Sequence, residues 1–261
     1  MNNKIKKIWL IVIVALMYLP IILLAINSFN EAKYGVVWQG FTWKWYEKLF
    51  NHKSLINATL NSFSLSFISA NVVCILGLVI AFTLFRYNFK AKNLVQSLLL
   101  IVLNSPDLIM GVSLLILFIA LKIELGMISL LISHITFCLP YVVIIIYSSL
   151  RNFDQSIINA AKDLGASEKQ ILWNVLIPIS LPAIISSWIV SFTLSMDDMI
   201  VSSFVSGPSY EILPIKIYSM LKTGLSPEIN ALTTIMLLIS GIIITNAHIA
   251  ARSIAIKKER K

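Results

Sequence analysis

The chain consists of long apolar runs separated by short segments that carry most of its charged residues. A helix needs about 20 apolar residues to cross a bilayer, and six runs meet this requirement. The predicted spans are Ile8–Ile26, Ser62–Phe85, Leu94–Leu121, Ile128–Leu150, Ile179–Met196 and Ala231–Ala251. The pattern therefore predicts an all-α integral membrane protein, with six transmembrane helices forming one transmembrane domain over residues 1–261.

The third run contains a polar interruption at its centre, formed by Asn104, Ser105, Pro106 and Asp107. Proline removes a backbone donor, and the residue before it disfavours the helical conformation. We therefore predict that this span is kinked rather than straight.

Composition excludes most other classes of protein. Apolar residues make up 58% of the chain, charged residues only 13%, and the mean hydropathy is +0.86. An ordinary soluble domain has about 25% charged residues, so a soluble, disordered or nucleic-acid-binding chain is excluded. Cys74 and Cys138 lie within apolar runs without the spacing of a metal or redox site.

The net charge of +9 is distributed unevenly between the segments that join the spans. If the N-terminus is cytoplasmic, the inner segments hold 14 of the 21 Lys and Arg residues but only four of the 12 Asp and Glu residues. This is the positive-inside pattern of membrane proteins. The first run is longer than the apolar region of a signal peptide. We therefore predict a retained first helix and two cytoplasmic termini.

The cytoplasmic segment 151–178 has the pattern of a helical hairpin. Gly165 stands where a helix commonly ends in a left-handed residue. Ser167 and Gln170 then have the spacing of a capping box at the start of a second helix. A simple amphipathic hairpin lying on the inner leaflet would have the same pattern.

This hairpin resembles the EAA loop of ATP-binding-cassette (ABC) importer permeases. The matching positions are Asn159, Ala160, Ala161, Gly165 and Pro178. The family pattern has Glu where this chain has Asn159, but the spacing from there to the proline is the same. In that family the loop is a coupling helix that docks into a groove of the ATPase subunit.

The resemblance implies the type I ABC importer permease fold and a non-catalytic role. The chain lacks the GxxxxGKS or GxxxxGKT motif that cradles nucleotide phosphates, so ATP would be bound by a partner and no cofactor by this chain. The implied partners are a homologous second permease, two copies of a cytoplasmic ATPase and an extracytoplasmic binding protein. The implied location is the bacterial inner membrane.

Three further stretches resemble the spermidine/putrescine branch of the family, and its C-type subunit in particular. They are Gly40–Phe50, Ser105–Asp107 and Ser195–Met220. The resemblance implies that the substrates are polyamines, imported by alternating access.

The acidic residues Asp107, Asp197 and Asp198 are the candidate substrate-pathway residues. Polyamines carry ammonium groups joined by methylenes, so a pathway needs carboxylates and apolar or aromatic walls. An ionised Asp at the middle of a span costs about 2.5–3.5 kcal/mol, which favours a functional reason for Asp107. The alternatives are that Asp107 is protonated or caps the half-helix after Pro106, and that the diacid is ordinary interfacial charge.

Other functions remain alternatives at this level. The same architecture could carry metal chelates, sulfate or thiamine, although anion carriers would want Lys or Arg within the spans. A cation channel lined by Asp107 would not need a docking hairpin. A membrane enzyme would need a second titratable group near Asp107, which the spans do not supply.

The remaining polar and aromatic residues predict less. His52, His134 and His248 are isolated in sequence and form no metal-ligand set. The aromatic residues of 38–50 predict a short amphipathic helix at the outer interface, with a cation–π site as the alternative.

Overall fold

The structure is a computed structural model that describes residues 3–33, 37–152, 154–224 and 226–242. These residues form helices and one isolated β-bridge between Asn30 and Phe41. The helices are α1 (Asn3–Asn27), α2 (Lys44–Asn51), α3 (Lys53–Arg86), α4 (Lys92–Asn104), α5 (Asp107–Ala120), α6 (Met127–Arg151), α7 (Gln155–Asp163), α8 (Glu168–Ile171), α9 (Ile177–Asp197), α10 (Ile200–Val205), α11 (Leu213–Thr223) and α12 (Glu228–Ile242).

Four helical stretches among the described residues are long and apolar enough to cross a membrane, and α4 with α5 adds a fifth if the bent pair counts as one span. The four are Trp9–Asn27, Lys53–Arg86, Met127–Arg151 and Glu168–Asp197. They match the predicted first, second, fourth and fifth spans. The predicted sixth span begins in α12, and its residues 243–251 lie outside the described part of the chain. The protein is therefore a helical, multi-pass membrane protein.

The predicted kink in the third span is a complete break. Helices α4 and α5 meet at an angle of 112°. Ser105 and Pro106 both have extended backbone, with ψ angles of 133° and 134°. A proline kink within one helix is smaller because the helix continues through it. Here two successive extended residues end α4 and start α5 in a new direction.

Contacts divide the chain into two compact units. One comprises Met1–Ile56 with Ile217–Lys261, and the other Asn57–Lys216. In the Asn57–Lys216 unit, α6 packs against α4, α9 and α10, and α10 also packs against α5. Two apolar clusters form its core. The first is centred on Val73, Cys138, Val142, Ile146, Ile171 and Leu176, and the second on Leu65, Phe118, Leu130, Val205 and Ile212.

In the other unit, the loop after α1 is organised by Asn30. Its side-chain oxygen accepts hydrogen bonds from the backbone N–H groups of Ala32 and Gln39, and its carbonyl accepts one from the Trp45 indole at 2.6 Å. Trp45 lies on α2, the predicted amphipathic helix, and is only 4% exposed. This tryptophan therefore anchors the loop, while Trp43 on the neighbouring segment stays exposed.

The close approach of α3 and α6 depends on Gly77. A Cβ atom at this position would lie 2.5 Å from Cγ1 of Val142. Small residues at helix contacts let backbones approach closely in membrane proteins, where apolar surface alone does not drive association.

We predict that Gly77→Ala destabilises the protein. The added methyl group overpacks the α3–α6 contact, at a cost of about 1–3 kcal/mol, which outweighs the roughly 1 kcal/mol that alanine gains in a helix. The thermal midpoint in detergent measures the effect. Gly241→Ala is the matched control because its Cβ would have open space, and adding Val142→Ala to the Gly77 variant should restore stability. An unchanged midpoint for Gly77→Ala would contradict the prediction.

Candidate functional site

A cavity of about 420 Å³ lies in the Asn57–Lys216 unit, where α4 ends, α5 begins and α9 gives way to α10. All three candidate pathway acids line it: Asp107, Asp197 and Asp198. The break between α4 and α5 brings Asp107 to the diacid at the end of α9. Residues distant in sequence thus share one cavity.

Asp107 is the first residue of α5 and has an exposed side chain. A carboxylate in the first turn of a helix is stabilised by the partial positive charge of the free N–H groups. Among the described residues no side chain caps α5. The charge of Asp107 is thus supported by the helix while the carboxylate stays accessible from the cavity.

Asp198 both lines the cavity and organises the next helix. Its Oδ2 accepts hydrogen bonds from the Ser202 backbone N–H at 2.8 Å and the Ser202 hydroxyl at 2.6 Å, and its Oδ1 accepts one from the Val201 N–H at 3.3 Å. The side chain is only 10% exposed. Asp197, by contrast, is exposed. In the diacid, the Asp198 carboxylate is therefore fixed by hydrogen bonds, and the Asp197 carboxylate is accessible.

Apart from Ser105 and Thr193, the rest of the wall is aromatic and apolar, and it includes Phe137 and Tyr141 of α6. The sequence analysis did not single out these two, although their spacing of four places them on one face of a helix. Carboxylates pair with ammonium groups, and aromatic faces attract cations and cover methylenes. The cavity suits an elongated organic cation.

The predicted hairpin has the expected form. Helix α7 begins at an Asp154 cap, and Gly165 follows α7 with a φ of +81°. The Ser167 N–H donates to the Gln170 side chain and the Gln170 N–H donates to the Ser167 hydroxyl, which completes the capping box. The backbone hydrogen bond from Ser156 lowers the pKa of the Asp154 carboxyl, because it favours the ionised form. Asp154 thus caps α7 as a carboxylate at neutral pH.

The hairpin has a buried side and an exposed side. Ile158 and Ile171 are buried in the apolar cluster that also contains Ile146. Ala160 is exposed, and Leu164 is 88% exposed. The exposed Leu164 side chain therefore offers a small apolar surface to a partner, next to alanines whose short side chains allow close approach.

An ion-pair cluster ties the hairpin to α3. The Glu168 carboxylate accepts hydrogen bonds from Arg86 Nε at 2.8 Å and Nη2 at 2.5 Å. Lys162 Nζ of α7 lies 3.3 Å from the same carboxylate. One carboxylate thus joins α3, α7 and α8. The two-bond geometry with arginine is the strong form of this interaction.

The hairpin leads directly into α9. Residues Leu172–Leu176 form one π-helical turn between α8 and α9, and Pro178 is the second residue of α9. The predicted hairpin ended within the segment 151–178, and the predicted fifth span, Ile179–Met196, was separate from it. The structure instead has one continuous helical path from Glu168 to Asp197.

The main polar residue that sequence reasoning missed is His134. It is fully buried in α6 and hydrogen-bonds to Ser195 and Ser202. The available signal was the serine spacing on α9, where Ser187, Ser191 and Ser195 recur every four residues and so share one face. Among the described residues, no three His, Cys, Asp or Glu side chains are grouped to hold a metal ion.

Comparison with known proteins defines the class. Residues 74–256 match the family described as "binding-protein-dependent transport system inner membrane component". The chain belongs to this family, whose members are the non-catalytic membrane components of ABC importers.

Individual relatives are similar over nearly their whole length. The spermidine/putrescine transport system permease protein PotC of Haemophilus influenzae is 49% identical over 95% of this chain and 96% of its own. PotC of Escherichia coli K12 is 52% identical over 92% and 91%. The putrescine transport system permease protein PotI of the same organism is 39% identical over 93% and 91%.

Solved structures show the fold. A bacterial ABC transporter involved in the import of the polysaccharide alginate has a chain with a TM-score of 0.70, at 15% identity, over 95% of both chains. The MetNI methionine ABC transporter has one with a TM-score of 0.63, at 17% identity, over 74% of this chain and 92% of its own. The helices of this chain therefore have the arrangement of ABC importer permeases.

We predict that Glu168→Gln weakens the attachment of the hairpin. Loss of the charge removes the ion pairs with Arg86 and Lys162, and amide hydrogen exchange over residues 155–171 should rise about two- to fivefold, as expected for a partly exposed pair. Because Glu168 and Arg86 act on each other, the double variant with Arg86→Gln should exchange no faster than the faster single variant.

Asp163→Asn is the matched control, since it removes an acidic charge from an exposed position of the same hairpin. Equal amide-exchange rates in the control and in Glu168→Gln would show that the ion pairs of Glu168 do not hold the hairpin.

Proposed function

We propose that the chain is the permease subunit of an ATP-driven importer that carries polyamines, of the class of spermidine and putrescine, into the cell. The main support for this proposal is the cavity, which is lined both by Asp107 and the Asp197–Asp198 pair and by aromatic side chains. The names of relatives that are about half identical to this chain support the same substrate class.

The proposed topology has six transmembrane helices in a single domain, with both termini on the cytoplasmic side of the bacterial inner membrane. Its support is the placement of 14 of the 21 Lys and Arg residues on the inner segments. The hairpin of residues 151–178 then faces the cytoplasm, and the diacid at the end of α9 faces the outer side.

In this arrangement the diacid receives the cation from outside and Asp107 holds it on the way through. The exposed Asp197 is suited to first contact, and the held Asp198 to a fixed pairing position. A membrane potential that is negative inside favours entry by about 2.3 kcal/mol per charge per 100 mV. ATP then supplies gating and direction by alternating access.

Coupling to ATP requires partners. We propose a homologous second permease, two copies of a cytoplasmic ATPase and an extracytoplasmic polyamine-binding protein. The ATPase would contact the exposed side of the hairpin, where Asn159, Ala160 and Leu164 lie. Ala161 is half-buried, and Gly165 makes the turn that separates the two hairpin helices. The continuous helical path through Pro178 would carry the motion to the cavity.

We predict that Asp107→Asn lowers polyamine uptake at least about tenfold, because it removes one ion pair with an ammonium group, and 1.4 kcal/mol is a factor of ten. The measurement is ATP-dependent uptake of labelled spermidine and putrescine by cells that lack their own polyamine transport and express this chain with its genomic neighbours. Glu124→Gln is the matched control, an exposed acid that does not line the cavity.

A complex that assembles and hydrolyses ATP but imports neither polyamine would overturn the substrate class and leave the family membership standing. Uptake that continues with a nonhydrolysable nucleotide would overturn ATP-driven import.

We also predict that Leu164→Asp abolishes retention of the ATPase subunits, since it places a charge at the centre of the proposed contact. When this chain is purified through an affinity tag, the amount of ATPase subunit recovered with it should fall at least about tenfold. Asn88→Asp is the control, because it adds the same charge at an exposed position of another predicted cytoplasmic segment. Equal ATPase recovery in both variants would place the contact elsewhere.

A further inference from the structure

His134 lies at the centre of a buried polar chain that ends at the cavity. Its Nδ1 is 2.6 Å from the Ser195 hydroxyl of α9, and its Nε2 is 3.0 Å from the Ser202 hydroxyl of α10. His134, Ser195 and Ser202 are all buried. Buried polar groups need partners, and these contacts satisfy both ring nitrogens.

The chain of hydrogen bonds continues on both sides of His134. On one side the Ser202 hydroxyl donates to Asp198 Oδ2 at 2.6 Å. On the other side the Ser69 hydroxyl of α3 lies 3.0 Å from the Ser195 hydroxyl and 3.1 Å from the Ser66 carbonyl. This chain of hydrogen bonds therefore links residues of α3, α9, α6 and α10.

Counting protons gives the chain a direction. A serine hydroxyl has one proton, and that of Ser202 is committed to the Asp198 carboxylate, which has none to give. Ser202 must then accept from His134, so the ring carries its proton on Nε2. Ser195 donates its own proton to the unprotonated Nδ1, whereas the single proton of Ser69 is shared between the Ser195 hydroxyl and the Ser66 carbonyl. From Ser195 onward, every donor points toward the carboxylate.

Hydrogen-bond donors that are aligned in this way stabilise a negative charge on the Asp198 carboxylate, where the chain of hydrogen bonds ends. Hydrogen bonds in a chain polarise one another in a low-dielectric interior, and bonds to an ionised acceptor are about twice as strong as neutral ones. Nε2 of His134 is itself 3.8 Å from Asp198 Oδ2. The carboxylate is held on one side by these donors while it lines the cavity.

We infer that His134 is a positioning residue, which acts through the Ser202 hydroxyl to hold Asp198 ionised and oriented toward the cationic substrate in the cavity. This inference rests on the proposed pathway role of Asp198. His134 is not among the residues that line the cavity, and it reaches the lining through Asp198, 3.8 Å away, and through its ring contact with Phe137.

The sharpest variant is Ser202→Ala. It removes the hydroxyl link but keeps the Ser202 backbone N–H that also binds Asp198, so α10 keeps its cap. In the full complex reconstituted in vesicles, we expect the maximal rate of polyamine uptake to fall about tenfold, as for the loss of a hydrogen bond to a charged group. Uptake is compared per assembled complex, because loss of a buried hydrogen bond also lowers stability.

Ser191→Ala is the matched control. Ser191 is a buried serine one turn before Ser195, and its hydroxyl has no hydrogen-bond partner in the described part of the chain. Its loss should leave uptake unchanged. His134→Phe should reduce uptake as Ser202→Ala does, whereas His134→Gln should retain most of it, because an amide can accept from Ser195 and donate to Ser202.

A double-variant cycle separates positioning from a general structural role. In an Asp198→Asn background, in which the amide still caps α10, adding Ser202→Ala should cause no further loss of uptake. An equal further loss would overturn the inference, as would wild-type uptake by Ser202→Ala. Nitrogen-15 NMR of the full complex should find a neutral His134 with its proton on Nε2, and a proton on Nδ1 would overturn the chain direction.

The two proposals fail in different ways. A complex that imports neither polyamine overturns the proposed function and with it the pathway role of Asp198. A complex that imports polyamines and is indifferent to Ser202→Ala overturns only the role of His134.

Discussion

The structure depends on one constraint, which is that polar groups removed from water must find partners inside the protein. Most backbone groups meet it by forming helices. Side chains meet it locally, as Thr136 and Ser133 do by donating to carbonyls one turn earlier. Other polar side chains reach neighbouring helices, and one group of them collects around His134 while another joins Arg86 and Lys162 to Glu168.

Helix α9 connects the two regions to which function is assigned. It begins beside the hairpin at Ile177 and ends at the cavity with Asp197, which is about 30 Å at 1.5 Å per residue. Its Ser195 belongs to the polar chain, while the hairpin at its start is held by Arg86 and Glu168. A rigid helix that is fixed at both ends transmits a displacement better than a loop would.

The features that were read correctly from sequence share a local physical cause. Apolar run length predicted the four long spans, and Gly165 with Ser167 and Gln170 predicted the hairpin, because helix termination and capping are decided by neighbouring residues. The third span was predicted to bend at the right place, but as a kink in one helix and not as a 112° break between two helices. Proline signals where a helix stops, but packing of α5 against α10 sets the direction in which the chain continues.

The sequence by itself determined that this is a membrane protein, where four of its long apolar helices lie, and which residues carry charge. Only the tertiary structure decided that Asp107 lines the same cavity as the diacid, that Trp45 is buried, and that the isolated His134 hydrogen-bonds serines of two other helices. The reason is physical. Hydropathy and capping act within a few residues, whereas these contacts join residues far apart in the chain and exist only once the helices pack.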